Sequence, residues 1–379
     1  MKKRLFTSGP TPVPEDVLLE MAKPIIHHRT PEFIKISEEV EDNLKYLFQT
    51  KNPVLTLASS GTGAMEAAVS NILSSGEKAL VVKAGKFGER FEEICNAYGV
   101  DVVPLDVEWG KAVKPESIEE ILKREKGIKA VLTTLCETST GVLTDVEAIG
   151  RLVSKFPETV LVVDAVSSLG AVSCQTDAWN LDVVVTGSQK ALMLPPGLSF
   201  LSISEKAWQK IEKSNSPRYY FDLKKYRKSL EKFDFPFTPA VSLMIGLRKS
   251  LSLIREEGIE NVIKRHKILA EATRAAIKAL GLELLSEKPA DSLTAVKVPI
   301  GIDGAELTKR LKEKYGVNFA GGQERLKGKI FRIAHLGYFD QLDIIVAISA
   351  LEMALSELGY KFELGSGVKA AERILTEKA

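Results

Sequence analysis

Between residues 54 and 205 the hydrophobic pattern switches repeatedly between two periods. Short runs such as PVLTLAS, KALVVKA, DVVPLDV, KAVLTTL, TVLVVDAV and LDVVVTG are mostly apolar or β-branched. Between them lie GAMEAAVSNIL, FGERFEEICNAYG, PESIEEILKRE and DVEAIGRLVSKF, whose apolar positions recur at helical spacing. Strands too uniformly apolar to carry a wet face, alternating with amphipathic helices, predict βα units and an α/β fold whose mostly parallel sheet is covered on both sides. GLSFLSIS predicts one further strand.

The pattern then changes. Residues 207–240 are irregular, aromatic and charged, and read as helix and loop over the sheet. AVSLMIGLRKSLSLIREEG and IENVIKRHKILAEATRAAIKAL predict long helices to about residue 280. TAVKVPI, AELTKRLKEKYG, KIFRIAHLG and QLDIIVAISALEMALSELG predict a smaller α+β domain, and GSGVKAAERILTEKA a loosely docked terminal helix. The expected division is an N-terminal arm over 1–16, a large domain over 17–257, a small C-terminal domain over 258–365 and a tail over 366–379. There is no internal repeat.

Composition narrows the function. The chain has 379 residues, with 52 basic and 50 acidic side chains and a formal net charge of +2. That balance gives no reason to expect nucleic acid as a partner. No run approaches the roughly 18 apolar residues of a membrane span. The basic start, MKKRLFTSGPTPVPED, lacks the apolar stretch of a signal peptide. Cys95, Cys136 and Cys174 are far apart and form no CxxC, so neither a disulfide framework nor a metal site is expected. The cytoplasm is the expected compartment.

Three candidate sites fall at strand ends. SSGTGAMEA, residues 59–67, joins a strand to a helix with small residues. It can cradle a phosphate on backbone N–H groups, or it can be a tight turn with a hydroxyl cap. It lacks the third glycine of a dinucleotide fingerprint and the GK[ST] of a P-loop. Asp164 ends TVLVVD, at the edge where open α/β sheets present ligand-binding groups; alone it is equally a turn residue. Lys190 follows LDVVVTGSQ at the same edge. In an apolar crevice its amine would lose hydration and become nucleophilic near neutral pH; the alternative is a surface lysine. Together an anion cradle, a carboxylate and a lysine match the needs of pyridoxal 5′-phosphate: a site for its phosphate, a partner for its ring nitrogen and an amine for its aldehyde.

The stretches DAVSSLGA and DVVVTGSQKALMLPPGLSFLSIS resemble the class V pyridoxal-phosphate-dependent aminotransferases of fold type I. Within them the chain is similar to serine–pyruvate, alanine–glyoxylate and serine–glyoxylate aminotransferases. SGPTPVP, AGKFGERF, CETSTGVL and FRIAHLG extend the resemblance over nearly the whole chain. It implies a seven-stranded, mostly parallel sheet in the large domain. It implies that Lys190 binds the cofactor covalently and carries the proton, and that Asp164 pairs with the ring nitrogen. Ser60, Gly61, Thr62 and Gln189 would hold the phosphate, Phe87 and Val166 would pack on the two ring faces, and Thr138 would approach the ring hydroxyl. Thr238 would reach the phosphate of a partner subunit, so a homodimer with shared sites is implied. Arg332 would bind the substrate α-carboxylate, with Gly9 and Arg29 also at the substrate. Phe235 departs from relatives that carry a phosphate-binding tyrosine there.

The implied reaction is ping-pong transamination of a small L-amino acid, alanine or serine, with a 2-oxo acid, glyoxylate or pyruvate. Aspartate as donor would need Arg29 for its second carboxylate, and a phosphoserine aminotransferase would use His28 and Arg29 for the substrate phosphate. A class V desulfurase would need a cysteine late in the chain, where none lies after Cys174. A non-enzymatic dinucleotide-binding scaffold leaves Lys190 and Asp164 without a purpose. From the residues alone, Arg332 sits in an alternating strand and would ordinarily face solvent, although Gly321-Gly322 before it permits close backbone approach. His28 and Arg29 serve equally as caps for the following helix or as a second anion site.

Overall fold

The computed structural model describes residues 2–378. Its larger sheet has seven strands, in the order Val54–Leu57, Ser199–Ile203, Val183–Gly187, Val160–Asp164, Ile128–Thr134, Lys78–Lys83 and Asp101–Asp106. Ser199–Ile203 runs antiparallel to both neighbours, while the remaining pairs are parallel. The central strands are buried at every position, as two-sided burial requires. Successive side chains of Val160–Asp164 feed opposite cores. Leu161 and Val163 join Val40, Leu44, Ile149 and Leu247 on one face. Val160 and Val162 join Met65, Phe91 and Trp208 on the other. Each such side chain contributes roughly 1.5–3 kcal/mol of apolar burial.

A second, four-stranded sheet has the order Arg4–Phe6, Val317–Gly321, Ile330–Ala334 and Leu293–Lys297. No strand was expected over residues 317–321 from the sequence. They form a strand instead because Val317 and Phe319 alternate inward, to 1% and 4% exposure, ahead of the glycine pair. The edge strand Arg4–Phe6 pairs in parallel with Val317–Gly321 and buries Phe6. At three residues it is too short for any periodicity to reveal it. Helices Ile259–Ala279, Gly304–Tyr315 and Gln341–Glu357 cover this sheet, and their core includes Leu269, Leu307 and Leu351. The long helices Val241–Glu257 and Ile259–Ala279 are separated at Gly258, whose φ of 85° breaks the helical path.

The helix Ser366–Lys378 packs along Ile259–Ala279, with Ala371 and Leu375 buried, rather than docking loosely. The buried Glu352 carboxylate accepts the backbone N–H groups of Gly365, Gly367 and Val368 at 2.6, 2.8 and 3.1 Å, which fixes where this helix begins.

Candidate active site

The candidate residues gather at the C-terminal edge of the parallel strands. Asp164 closes Val160–Asp164 and pairs in register with Val185 of the adjacent strand, from whose end the chain runs through Gln189 to Lys190. Lys190 is only 8% exposed, and its Nζ donates to the carbonyl of Ser8. The chain passes so close that a Cβ on Gly9 would lie 2.5 Å from Lys190 Nζ, and Gly9 has φ +136°. Burial pulls the Lys190 amine down to about 8; Asp164 opposes this, and Arg332 and Arg90 add to it. Burial pushes the Asp164 carboxyl up to about 6. The Val166 N–H, donating to Oδ1 at 2.8 Å, works against that rise and Glu137 adds to it. Near neutral pH the site therefore holds a buried carboxylate and an amine with an accessible free base.

The anion cradle lies beside them. Ser60 precedes the helix Gly61–Ile72 in an extended conformation, and its side chain makes no capping bond. The first N–H groups of that helix therefore have no side-chain acceptor there. Gly61 is tight against Val166: a Cβ there would lie 2.7 Å from Val166 Cγ2. A Cβ on Gly187 would meet Gln189 Oε1 at 3.0 Å and Gly61 N at 3.4 Å, so the Gln189 amide and the helix start share one pocket. Gln189 Oε1 is buried without a hydrogen-bond partner. Free N–H groups at the helix start suit a phosphate; of the Gln189 amide only the NH2 group can join them, since Oε1 is an acceptor like the phosphate itself.

A third group joins the two sheets. Arg332 lies in the inner strand Ile330–Ala334, and every residue of that strand is buried. The solvent-facing expectation fails because the guanidinium turns inward at 6% exposure. Nη1 donates to Thr138 O at 2.8 Å, while Nε and Nη2 donate to Gly321 O at 3.2 and 2.8 Å. Burial lowers its pKa to about 10, against the opposing field of Glu137. Thr138 is buried and its Oγ1 lies 2.5 Å from Ser167 Oγ.

Glu137 was not singled out from the sequence. Fully buried, it accepts Phe87 N at 3.1 Å, Gly88 N at 3.0 Å and Ser139 Oγ at 2.6 Å. It thereby anchors the start of the helix Lys86–Ala97, on which Phe87 sits. Burial raises its pKa, and these donors work against that rise. Arg90, one turn further on, lies over the Phe87 ring at 4.6 Å and donates to Thr62 Oγ1 at 3.2 Å. Both residues stand inside stretches recognisable as motifs, CETSTGVL and AGKFGERF, and an acid or arginine amid small residues was the available signal.

Other expected residues stand apart. Thr238 is exposed. Phe235 packs against Phe33, ring centroids 6.2 Å apart, as part of the core. Thr30, not His28 or Arg29, caps the helix Pro31–Phe48 by accepting Phe33 N at 3.4 Å. His28 stacks on His27 at 4.6 Å, and Arg29 is exposed. Among the described residues no His, Cys, Asp and Glu cluster could hold a metal ion, and no helix is long and apolar enough to cross a membrane.

A family model described as aminotransferase class-V matches residues 4–332. The chain is 47% identical to the "soluble hydrogenase, small subunit" of a Synechococcus strain, covering 99% of each chain. It is 38% identical to the L-aspartate–glyoxylate aminotransferase of Paracoccus denitrificans, over 97% of this chain and 95% of the relative. It is 37% identical to the serine–glyoxylate aminotransferase of Methylorubrum extorquens, over 99% and 96%. The solved structure of the ureidoglycine–glyoxylate aminotransferase of Bacillus subtilis superposes with a TM-score of 0.94 at 30% identity, covering 99% of this chain and 98% of that one. With Lys190, Asp164 and an anion cradle at one sheet edge, and with these likenesses over its whole length, the chain belongs to the class V aminotransferases and uses pyridoxal phosphate.

Proposed function

We propose that this enzyme moves the amino group of alanine or serine to glyoxylate or pyruvate. The observation that carries the reading is the buried pair at the sheet edge: Lys190 at 8% and Asp164 at 4% exposure, each at or just past the end of one of two adjacent parallel strands. Pyridoxal phosphate, when bound, supplies an aldehyde that captures amines and a ring that accepts the electron pair left at Cα. Lys190 Nζ would hold the aldehyde and would carry the proton at the donor's Cα. Asp164 holds a proton on the ring nitrogen. Ser60, Gly61, Thr62 and Gln189 hold the phosphate. Phe87 and Val166 confine the ring, and Thr138 approaches its hydroxyl. Arg332 grips the α-carboxylate that every donor and acceptor shares, with Gly9 lining the substrate space.

Small donors suit a site in which, among the described residues, Arg332 is the one buried guanidinium. Glyoxylate as acceptor is supported by the names of the aminotransferase relatives. Aspartate is the second reading: the Paracoccus relative bears its name, and Arg29 would have to supply the second cation. Two copies are supported by exposed apolar side chains, with Leu19 at 67%, Ile25 at 71% and Tyr219 at 73%. Thr238, being exposed, is free to reach a partner's phosphate. Three buried, unpaired cysteines support the cytoplasm.

Borohydride treatment of the cofactor-loaded enzyme, followed by peptide mapping, should place the cofactor on Lys190. A panel of donors against glyoxylate and pyruvate should then give parallel ping-pong lines, with alanine or serine ahead of aspartate. Aspartate ahead of both selects the second reading. No transamination with any donor overturns both.

A further inference from the structure

Every phosphate-holding residue assigned above is neutral: Ser60, Gly61, Thr62, Gln189 and Thr238. A phosphate dianion kept from water by neutral donors alone lacks a countercharge, and charge-assisted hydrogen bonds are roughly twice as strong as neutral ones. Lys190 is committed to the aldehyde. Arg90 is the cation left at this end of the site. It reaches from the helix Lys86–Ala97 to the first turn of Gly61–Ile72, where Nη1 donates to Thr62 Oγ1 at 3.2 Å.

The acids around Arg90 are engaged elsewhere. On its own helix Glu89 and Glu93 turn to Lys86, at 4.0 and 2.9 Å, and Glu92 turns to Lys83 at 3.0 Å. Among the described residues Arg90 has no carboxylate partner, and its one hydrogen bond goes to Thr62. That bond is informative. Thr62 Oγ1 accepts from the guanidinium, so its own proton is left to donate to another acceptor. Among the described residues that proton makes no hydrogen bond, and Thr62 lies one residue beyond Gly61 at the start of the helix Gly61–Ile72. The Arg90 guanidinium is held in place by its stacking on Phe87, with Cζ 4.6 Å from the ring centroid.

We propose that Arg90 is a cofactor-binding residue that supplies the countercharge for the phosphate of pyridoxal phosphate, acting with the Thr62 hydroxyl. This rests on the reading that the cofactor's phosphate occupies the start of the helix Gly61–Ile72. The two faces of Arg90 then do different work: the planar one steadies the Phe87 ring, and the donors face the anion.

The test compares pyridoxal 5′-phosphate with pyridoxal, which has the same ring and aldehyde but no phosphate. Full-length cofactor-free protein is titrated with each, and binding is followed by visible absorbance. Wild type should prefer the phosphorylated form strongly. Arg90→Met, of similar apolar length, should weaken pyridoxal phosphate tenfold or more while leaving pyridoxal within about twofold. Arg90→Lys should recover part of the loss, because the charge returns without the fork. If Arg90→Met folds poorly, Arg90→Gln, which can still reach Thr62, gives the same comparison. Equal weakening of both ligands would show that Arg90 acts only through the Phe87 stack, and would overturn the proposal; so would no change in either. Failure of wild type to prefer the phosphorylated form would instead overturn the placement of the phosphate.

Discussion

Arg332 of the four-stranded sheet donates Nη1 to the carbonyl oxygen of Thr138, in the large domain, at 2.8 Å. Its other arm is held by Gly321 O, so the guanidinium is aimed by two backbone carbonyls and, among the described residues, pairs with no carboxylate. In the proposed reaction a substrate carboxylate would meet a fork already oriented.

Arg332→Lys keeps the charge and loses the fork. KM for alanine and for serine should rise together, roughly tenfold to a hundredfold, the worth of one or two charge-assisted hydrogen bonds. Steady-state kinetics with both donors checks this. A rise for one donor alone would mean that Arg332 reads a side chain.

Asp164 gives a pH-dependent stability prediction for the cofactor-free protein. Below pH 3.8 both the folded and unfolded chains carry the neutral acid, and the residue costs nothing. Between pH 3.8 and about 6 only the unfolded chain ionises, so the cost of keeping Asp164 buried grows to about 3 kcal/mol and persists above that range. Asp164→Asn should therefore stabilise the cofactor-free protein at pH 7.5, by up to this amount, and do little at pH 3.5. Urea midpoints at the two values read the difference. The same variant should lose most turnover, because the ring nitrogen loses its charge partner.

His266 predicts the acid limit of the fold. Its Nδ1 lies 2.7 Å from Val262 O, and its Nε2 accepts Gly337 N–H at 2.9 Å. The neutral ring protonated on Nδ1 satisfies both contacts, and burial pulls its pKa down to about 3. As pH falls below 6.5 the unfolded chain takes up a proton that the folded chain refuses. Stability should fall by about 1.4 kcal/mol per pH unit from this residue until the ring titrates near pH 3. His266→Gln should be less stable at pH 7 and lose one proton's worth of acid slope, measured by denaturant titration between pH 7 and 4.5.

The shared-site proposal has a complementation test. Thr238→Glu sets a carboxylate against a partner's phosphate, and Lys190→Ala removes the amine. Each homodimer should be inactive. After subunit exchange about half the dimers are hybrids with one intact site each, so up to about a quarter of wild-type activity should return. Demonstrated exchange without any activity would mean that Thr238 serves its own chain.

The large sheet was legible because its strands are apolar on both faces and its helices are not; that contrast survives in one dimension. Lys190, Asp164 and the Ser60–Thr62 cradle were legible because each sits where a strand ends, and the structure brings them to one edge. Arg332 was harder. An alternating strand signals a half-wet surface, and only the arrival of Thr138 and Gly321 from elsewhere makes its position an interior one. Glu137 and Arg90 were missed for a related reason. Their partners are backbone N–H groups and a hydroxyl, and neither kind leaves a spacing to read. Arg4–Phe6 carries three residues of pattern, and its status as a strand is decided by Val317–Gly321 alone.

That last pairing has a consequence for how the molecule is made. Arg4 lies opposite Val317, more than three hundred positions later in the chain. During synthesis the segment is made more than three hundred residues ahead of its partner strand. Such long-range closure comes late in assembly. Two residues beyond this strand, Ser8 accepts from Lys190. The Lys190 amine therefore gains this neighbour only after the small sheet has closed, and a nascent chain stalled short of Val317 would carry Lys190 without the backbone that seats it.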